Sequence, residues 1–441
     1  MAETAELERQ VAIPTSVEQM TTDWFDSALK EKIVGSRILE VIHGTATKVK
    51  VELDFQLDDG TVEPRVCWIK TGLEPHSKKI GSEKVYAGET FFYRNFGQKH
   101  ETRTPYCYYA DSDDEGNSLI VLDDLCKIGA KFCEPAEAGT PEVIAAGLEA
   151  MARYHAATWM NAEMRADPWM NSGGSFDNAD CLAWIYNLEH WDEYSLRPRF
   201  QKIDPFLRDH DMLLAAHTVL RRDWVRGKEP YAMSHGDAHF GQMYTLPSGE
   251  ARMLDWQCVQ TGYYMTDPAN LIVSGMNPVD RRATDKDLLK HYLGKLAEFG
   301  VENPPSLEDA FQGLRAGSMH QLSWVMCLVA MQPEENCAPI AHPAATRLTT
   351  FAKSRASPAS GRGSITCPPP ACGRGWGWAC AAVELDADGD RRQSLTPHPP
   401  KPNRHPGLDP GSRSLRRNTP PHPAPEKQRD PGSSPGRRGG G

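Results

Sequence analysis

Ser234-His235-Gly236-Asp237-Ala238-His239-Phe240-Gly241-Gln242-Met243-Tyr244, with Leu254-Asp255-Trp256-Gln257 close behind it, is the stretch that decides how this chain is read. It holds two carboxylates, Asp237 and Asp255, and one amide, Gln242. Met243-Tyr244-Thr245-Leu246 and Ala251-Arg252-Met253-Leu254 predict short strands around the turn Pro247-Ser248-Gly249-Glu250. A hairpin brings its ends together, so Asp237 and Asp255 are expected to face one site. A carboxylate that accepts a hydroxyl proton, an amide five positions later and a second carboxylate beyond a hairpin form the set that phosphoryl transfer uses. The first serves as base and the other two as metal ligands. The competing reading is a polar turn whose Asp residues cap backbone groups, and the rest of the chain decides between them.

Upstream, Arg37-Ile38-Leu39-Glu40-Val41-Ile42-His43 and Thr47 to Phe55 predict two strands, the second with Val49, Val51, Leu53 and Phe55 on one face and charges on the other. The turn between them, His43-Gly44-Thr45-Ala46, is either an ordinary hairpin turn or a cover whose backbone N–H groups at Gly44 and Thr45 reach phosphates. A third strand follows Asp58-Asp59-Gly60 and ends in Val66-Cys67-Trp68-Ile69-Lys70. A lysine closing an apolar strand calls for an anionic partner. Ser82 to Phe96 offers one, because Val85, Glu89, Phe92 and Phe96 share a stripe at helical spacing. Glu89 then sits in an apolar face, where a carboxylate is costly unless paired. Lys70 bound to Glu89 would orient nucleotide phosphates. The alternatives are a purely structural ion pair or a helix rotated so that Glu89 meets solvent.

Tyr106 to Ala110 and Ser118 to Leu122 predict another hairpin, which runs into Asp123-Asp124-Leu125, where the composition turns helical. A connector between a small β-rich lobe and a larger helical lobe belongs here, with an adenine bonding to backbone groups around Asp123. Asp124 is expected to cap a turn. Helices are predicted over Glu142 to Trp159, Trp184 to Trp191, Leu213 to Trp224, Asp285 to Phe299 and Leu307 to Met331, and an amphipathic one opens the fold over Val17 to Leu29. His155 is expected to be a satisfied core histidine. Asp267 precedes Pro268, which makes an N-cap the cheapest account and a bond to the 235–242 loop the alternative.

From Ala356 onward lie 16 of the 34 prolines and 13 Lys or Arg against 7 Asp or Glu, so 353–441 is expected to be a low-complexity, disordered tail. Residues 1–355 hold 36 basic and 52 acidic side chains, a balance of −16, which argues against nucleic acid or an anionic membrane as partner. No apolar run approaches the roughly 20 residues that span a bilayer. The acidic start from Met1 to Glu8 lacks a secretory pattern, and the eleven cysteines form no paired Cys-x-x-Cys set. A reducing, cytoplasmic setting is expected.

His235-Gly236-Asp237-Ala238-His239, Asp255-Trp256-Gln257, Gly262 with Asp267, the helix from Glu89 to Tyr93 and Leu119 to Leu125 together resemble the aminoglycoside phosphotransferase and choline kinase superfamily, in its ecdysteroid-kinase-like branch. The resemblance implies an α+β, protein-kinase-like two-lobed fold, with an N-terminal lobe over 1–125 and a helical C-terminal lobe over 126–352. It also implies transfer of the ATP γ-phosphoryl group to a small-molecule hydroxyl. Asp237 would be the base, Asp255 a magnesium ligand, Lys70 the phosphate-binding lysine and Glu89 its partner. Where the family has asparagine, this chain has Gln242, whose amide is displaced by a methylene, about 1 Å, although magnesium demands near-ideal geometry at roughly 2.0–2.1 Å. Weaker metal affinity is expected. Two other classes compete: a non-catalytic nucleotide-binding protein, and a metal-dependent hydrolase with His235, Asp237, His239 and Asp255 as ligands.

Overall fold

The computed structural model describes residues 11–318 apart from 45, 75–82, 173–182, 184 and 223–227, together with 326 and 334. β1 (Lys32–Ile42), β2 (Thr47–Gln56), β3 (Val62–Thr71), β4 (Cys107–Ser112) and β5 (Ser118–Asp123) form an antiparallel sheet in the order β1-β2-β3-β5-β4. The strict alternation of β2 sorts the two faces of this sheet. Val49, Val51, Leu53 and Phe55 are buried with Cys67, Ile69, Leu119 and Val121 beneath Phe25 and Leu29 of the opening segment. That segment is not one helix. Thr21 accepts a hydrogen bond from the Trp24 N–H and so starts the helix Thr22–Ala28 afresh, after a separate 3-10 turn at Val17–Gln19.

The other face of the sheet carries Trp68, Lys70, Ile120 and Leu122 and meets the helix Glu83–Asn95. Beyond β5 the chain becomes mainly helical. The helices Pro141–Ala157, Thr266–Gly275, Pro278–Glu298 and Leu307–Gly317 enclose a core that includes Leu148, Met151, Leu271, Leu289 and Leu314. Thr140, Asn277 and Ser306 cap three of them, two with proline at the first position. Five short strands, β6 (Lys131–Phe132), β7 (Tyr231–Ser234), β8 (Met243–Thr245), β9 (Ala251–Met253) and β10 (Gln260–Tyr263), make two small antiparallel sheets, β6-β8-β9 and β7-β10. The protein therefore has the expected kinase-like build of a small antiparallel-sheet lobe and a larger helical lobe.

The Glu83–Asn95 helix is the seam between them. Phe92 stacks on the fully buried Trp256 with ring centroids 4.3 Å apart and planes parallel within 1°. Phe91 stacks on Trp169 at 5.2 Å. No helix among the described residues is long and apolar enough to cross a membrane. The expected tail and the end of the last predicted helix lie outside the described residues.

Candidate active site

β7 delivers the chain into Ser234-His235-Gly236-Asp237, and the backbone there is held from several sides. Gly236 has φ +82°, and a Cβ at this position would overlap the Cys258 carbonyl oxygen, so the turn requires glycine. His235 donates from Nε2 to the Leu254 carbonyl at 2.6 Å and accepts the Asp237 N–H at Nδ1 at 3.3 Å. With both ring nitrogens committed to backbone, His235 ties the 235–242 loop to the end of the β8–β9 hairpin and is not disposed as a metal ligand. That removes a member of the hydrolase ligand set.

Asp267 is the main anchor of this loop. Its carboxylate accepts from Ser234 Oγ at 2.8 Å, the His235 N–H at 2.7 Å, the Gly236 N–H at 3.1 Å, the Tyr154 hydroxyl at 3.0 Å and His155 Nε2 at 3.3 Å. The N-cap position of the helix Thr266–Gly275 belongs to Met265, so the cheaper sequence reading of Asp267 gives way to the bond with the loop. His155, as expected, is a satisfied core histidine, with its Nδ1 at 2.6 Å from the Tyr292 hydroxyl.

Asp255 follows β9 closely, and Asp237 lies on the 235–242 loop that leads into β8 and that His235 ties to Leu254, next to Asp255. Asp255 adopts φ +62°, ψ +63°, a left-handed conformation that aspartate tolerates better than most residues. Lys70 Nζ forms an ion pair with Asp255 Oδ1, another with Glu89 Oε2 at 2.7 Å, and a contact with Gln257 Oε1 at 3.3 Å. The pairing of Lys70 and Glu89 inferred from their patterns is thus present. Burial opposes the Lys70 charge, but the Asp255 and Glu89 carboxylates raise its ammonium above the ordinary lysine value. Burial pushes the Glu89 carboxyl up against the pull of Lys70, and the Asp255 charge pushes it further. Burial would raise Asp255 too, yet Lys70, then Lys48 and His235, hold it below the usual carboxylate range.

One ammonium between two carboxylates leaves a negative charge over, and the Asp255 side chain is 22% exposed. Gln242 Nε2 lies 3.3 Å from Asp255 Oδ2, so its longer arm still reaches this carboxylate. The amide meets Asp255 through its nitrogen, which donates to the carboxylate. The Asp255 oxygens and the Gln242 amide oxygen are the hard donors that magnesium could take, as it binds one or two carboxylates and completes its shell with waters and substrate phosphates. Among the described residues no cluster of three or more His, Cys, Asp or Glu forms a self-sufficient metal cage. His239 caps the Phe240–Gln242 turn by accepting the Gly241 N–H at Nδ1, and its Nε2 lies 4.0 Å from Asp237 Oδ2.

The other expected nucleotide contacts are placed as follows. Gly44 lies in the turn between β1 and β2, and Thr45 is outside the described residues. The base of that turn is pinned by Glu74, whose Oε1 meets His43 Nδ1 at 2.9 Å and accepts from Thr47 Oγ1 at 2.7 Å. Asp123 ends β5, where its carboxylate contacts Lys127 and the Tyr108 hydroxyl. Asp124 caps the following turn by accepting the Cys126 N–H at 3.0 Å, and it also accepts from Trp68 Nε1 at 3.3 Å.

Two contributors escape sequence reasoning. Gln257 supplies the third partner of Lys70, and Gly88 lets the Glu89 helix dock. A Cβ at Gly88 would overlap the Gln257 carbonyl oxygen. Gly88→Ala, which helix propensity alone would make stabilising, is therefore expected to lower the melting temperature. Gly294→Ala, in the Pro278–Glu298 helix with open space around it, should instead stabilise by about 0.5–1 kcal/mol. Thermal melts of the two variants read the opposite signs, and equal signs would deny the close approach.

The sequence profile of the ecdysteroid kinase-like family matches residues 44–301. No curated protein sequence matches the chain. Among solved structures, a choline kinase from Streptococcus pneumoniae aligns at 13% identity over 76% of this chain and 99% of that one, with a TM-score of 0.42. An ethanolamine kinase from Plasmodium vivax aligns at 12% identity over 72% and 81%, with a TM-score of 0.43. A spectinomycin phosphotransferase, solved with ADP and spectinomycin, aligns at 9% identity over 76% and 98%, with a TM-score of 0.42.

Proposed function

This chain belongs to the ecdysteroid kinase-like family, and from that premise we propose that it transfers the γ-phosphoryl group of ATP to a hydroxyl of a small molecule. The observation that carries the reading is the Lys70 ammonium held between Glu89 and Asp255, with Gln242 against Asp255. An ion pair kept for stability alone has no use for a second carboxylate that is partly exposed and crowded by an amide.

In this reading Lys70, oriented by Glu89, binds the nucleotide phosphates, and backbone groups of the Gly44-Thr45 turn and of the connector at Asp123 hold the rest of the nucleotide. Asp255 and Gln242 would hold magnesium, which would supply neutralising charge to the phosphates. Asp237 accepts the proton of the acceptor hydroxyl as its oxygen forms a bond to the γ-phosphorus and the bridging P–O bond to ADP breaks. Such catalysis rests on positioning and charge stabilisation. Asp267 and His235 serve it by fixing the loop on which Asp237 rides.

Thermal melting with ATP, with and without magnesium, tests the reading. Mg-ATP is expected to raise the melting temperature, because a ligand bound only by the folded state stabilises it, and ATP with a chelator should do so less. No shift from millimolar Mg-ATP would contradict the assignment. Gln242→Asn is expected to lower the magnesium concentration that gives half-maximal activity. An unchanged requirement would mean that Gln242 coordinates as well as asparagine or does not coordinate.

A further inference from the structure

The register of β2 against β3 sets Lys48 directly opposite Lys70. Both side chains leave the same face of the sheet, because their neighbours Val49 and Ile69 are buried on the other. Side chains so opposed have Cβ atoms about 4.5–5.5 Å apart, where like charges repel. Lys70 finds its counter-charges in Glu89 and Asp255. Lys48 is exposed, and no ion pair or hydrogen bond to it occurs among the described residues, although Glu89 and Asp255 both feel its charge. Lys50, the next lysine on this face, differs, because its ammonium lies 5.5 Å from the centre of the Trp68 ring. Thr47, which precedes Lys48, is buried and anchored to Glu74, so the backbone at the end of the turn is held.

We infer that Lys48 is a second phosphate-binding cation of the nucleotide site, meeting the terminal phosphates of ATP beside Lys70; this rests on the kinase reading above. Mg-ATP is anionic, and the Lys70–Glu89–Asp255 cluster it approaches is itself net negative. A further cation at the mouth of the cluster offsets that repulsion. An ammonium on a flexible stem with three donors suits contacts to phosphate oxygens, and the anion in turn relieves the repulsion between two opposed lysines.

The test is titration of ATP, ADP and AMP into the full chain, once with magnesium and once with EDTA, for the parent, Lys48→Gln, Lys48→Arg and Lys50→Gln. Lys48→Gln is expected to weaken ATP about tenfold, the order of one hydrogen bond to a charged group. ADP should weaken less and AMP not at all, with the melting temperature of the free protein unchanged. The loss should persist in EDTA, be largely rescued by Lys48→Arg and be absent in Lys50→Gln. Equal ATP affinity in the parent and Lys48→Gln, or equal weakening of ATP and AMP, would overturn the inference and leave the kinase reading standing. A parent that binds no ATP would overturn both.

Discussion

Asp237→Asn is expected to lower kcat by about 10²–10⁴-fold, the usual contribution of a general base, while Mg-ATP still binds. Asparagine keeps the shape of the side chain and can still accept a hydrogen bond, but it cannot take up the acceptor proton. The backbone around it is set by groups the substitution does not touch: the left-handed Gly236, the His235 bridge to Leu254 and the Asp267 carboxylate. The loss should therefore appear in turnover and not in nucleotide affinity or melting temperature. Steady-state kinetics paired with nucleotide titration separates these, and a fully active variant would refute the role given to Asp237.

The second large effect belongs to Asp267→Asn, which is expected to destabilise the protein by on the order of 3 kcal/mol and to disorder the 235–242 loop. Five donors converge on this carboxylate, which is 1% exposed. An asparagine keeps a single acceptor oxygen and turns two N–H donors toward groups that are donors themselves. The parent should also show the carboxylate in its pH dependence. Burial works to raise the Asp267 pKa, but the hydrogen bond and charge of His155, then His235, hold it at about 2 against an ordinary 3.8. A folded-state value below the unfolded one means stability that is present in full above about pH 4 and is lost as pH falls toward 2, amounting to on the order of 2 kcal/mol. Melting curves between pH 5 and 2.5 should fall more steeply for the parent than for Asp267→Asn. Parallel curves would show that the carboxylate is not held as described.

The parts of this site that were legible in the sequence are those where a local period and a chemical misfit coincide. Lys70 breaks an apolar strand and Glu89 breaks an apolar helical stripe, and each misfit predicts the other. The alternation of β2 likewise foretells which residues are buried. The missing parts depend on backbone meeting backbone across the fold, which no local pattern encodes. Gly88 reads as an ordinary helix-weakening glycine until the Gln257 carbonyl is seen against it. Asp267 carries a local cap signature, and tertiary donors from β7, Tyr154 and His155 override it. Gln242 reads as a displaced ligand, yet its amide still arrives beside Asp255.

Transfer of labelled γ-phosphate from ATP to a panel of small hydroxyl compounds tests the kinase assignment most directly. With magnesium present, an acceptor-dependent phosphomonoester and matching ADP are expected from the parent, with neither accumulating from Asp237→Asn. Label released only as inorganic phosphate whatever the acceptor, or equal transfer by the parent and Asp237→Asn, would contradict it.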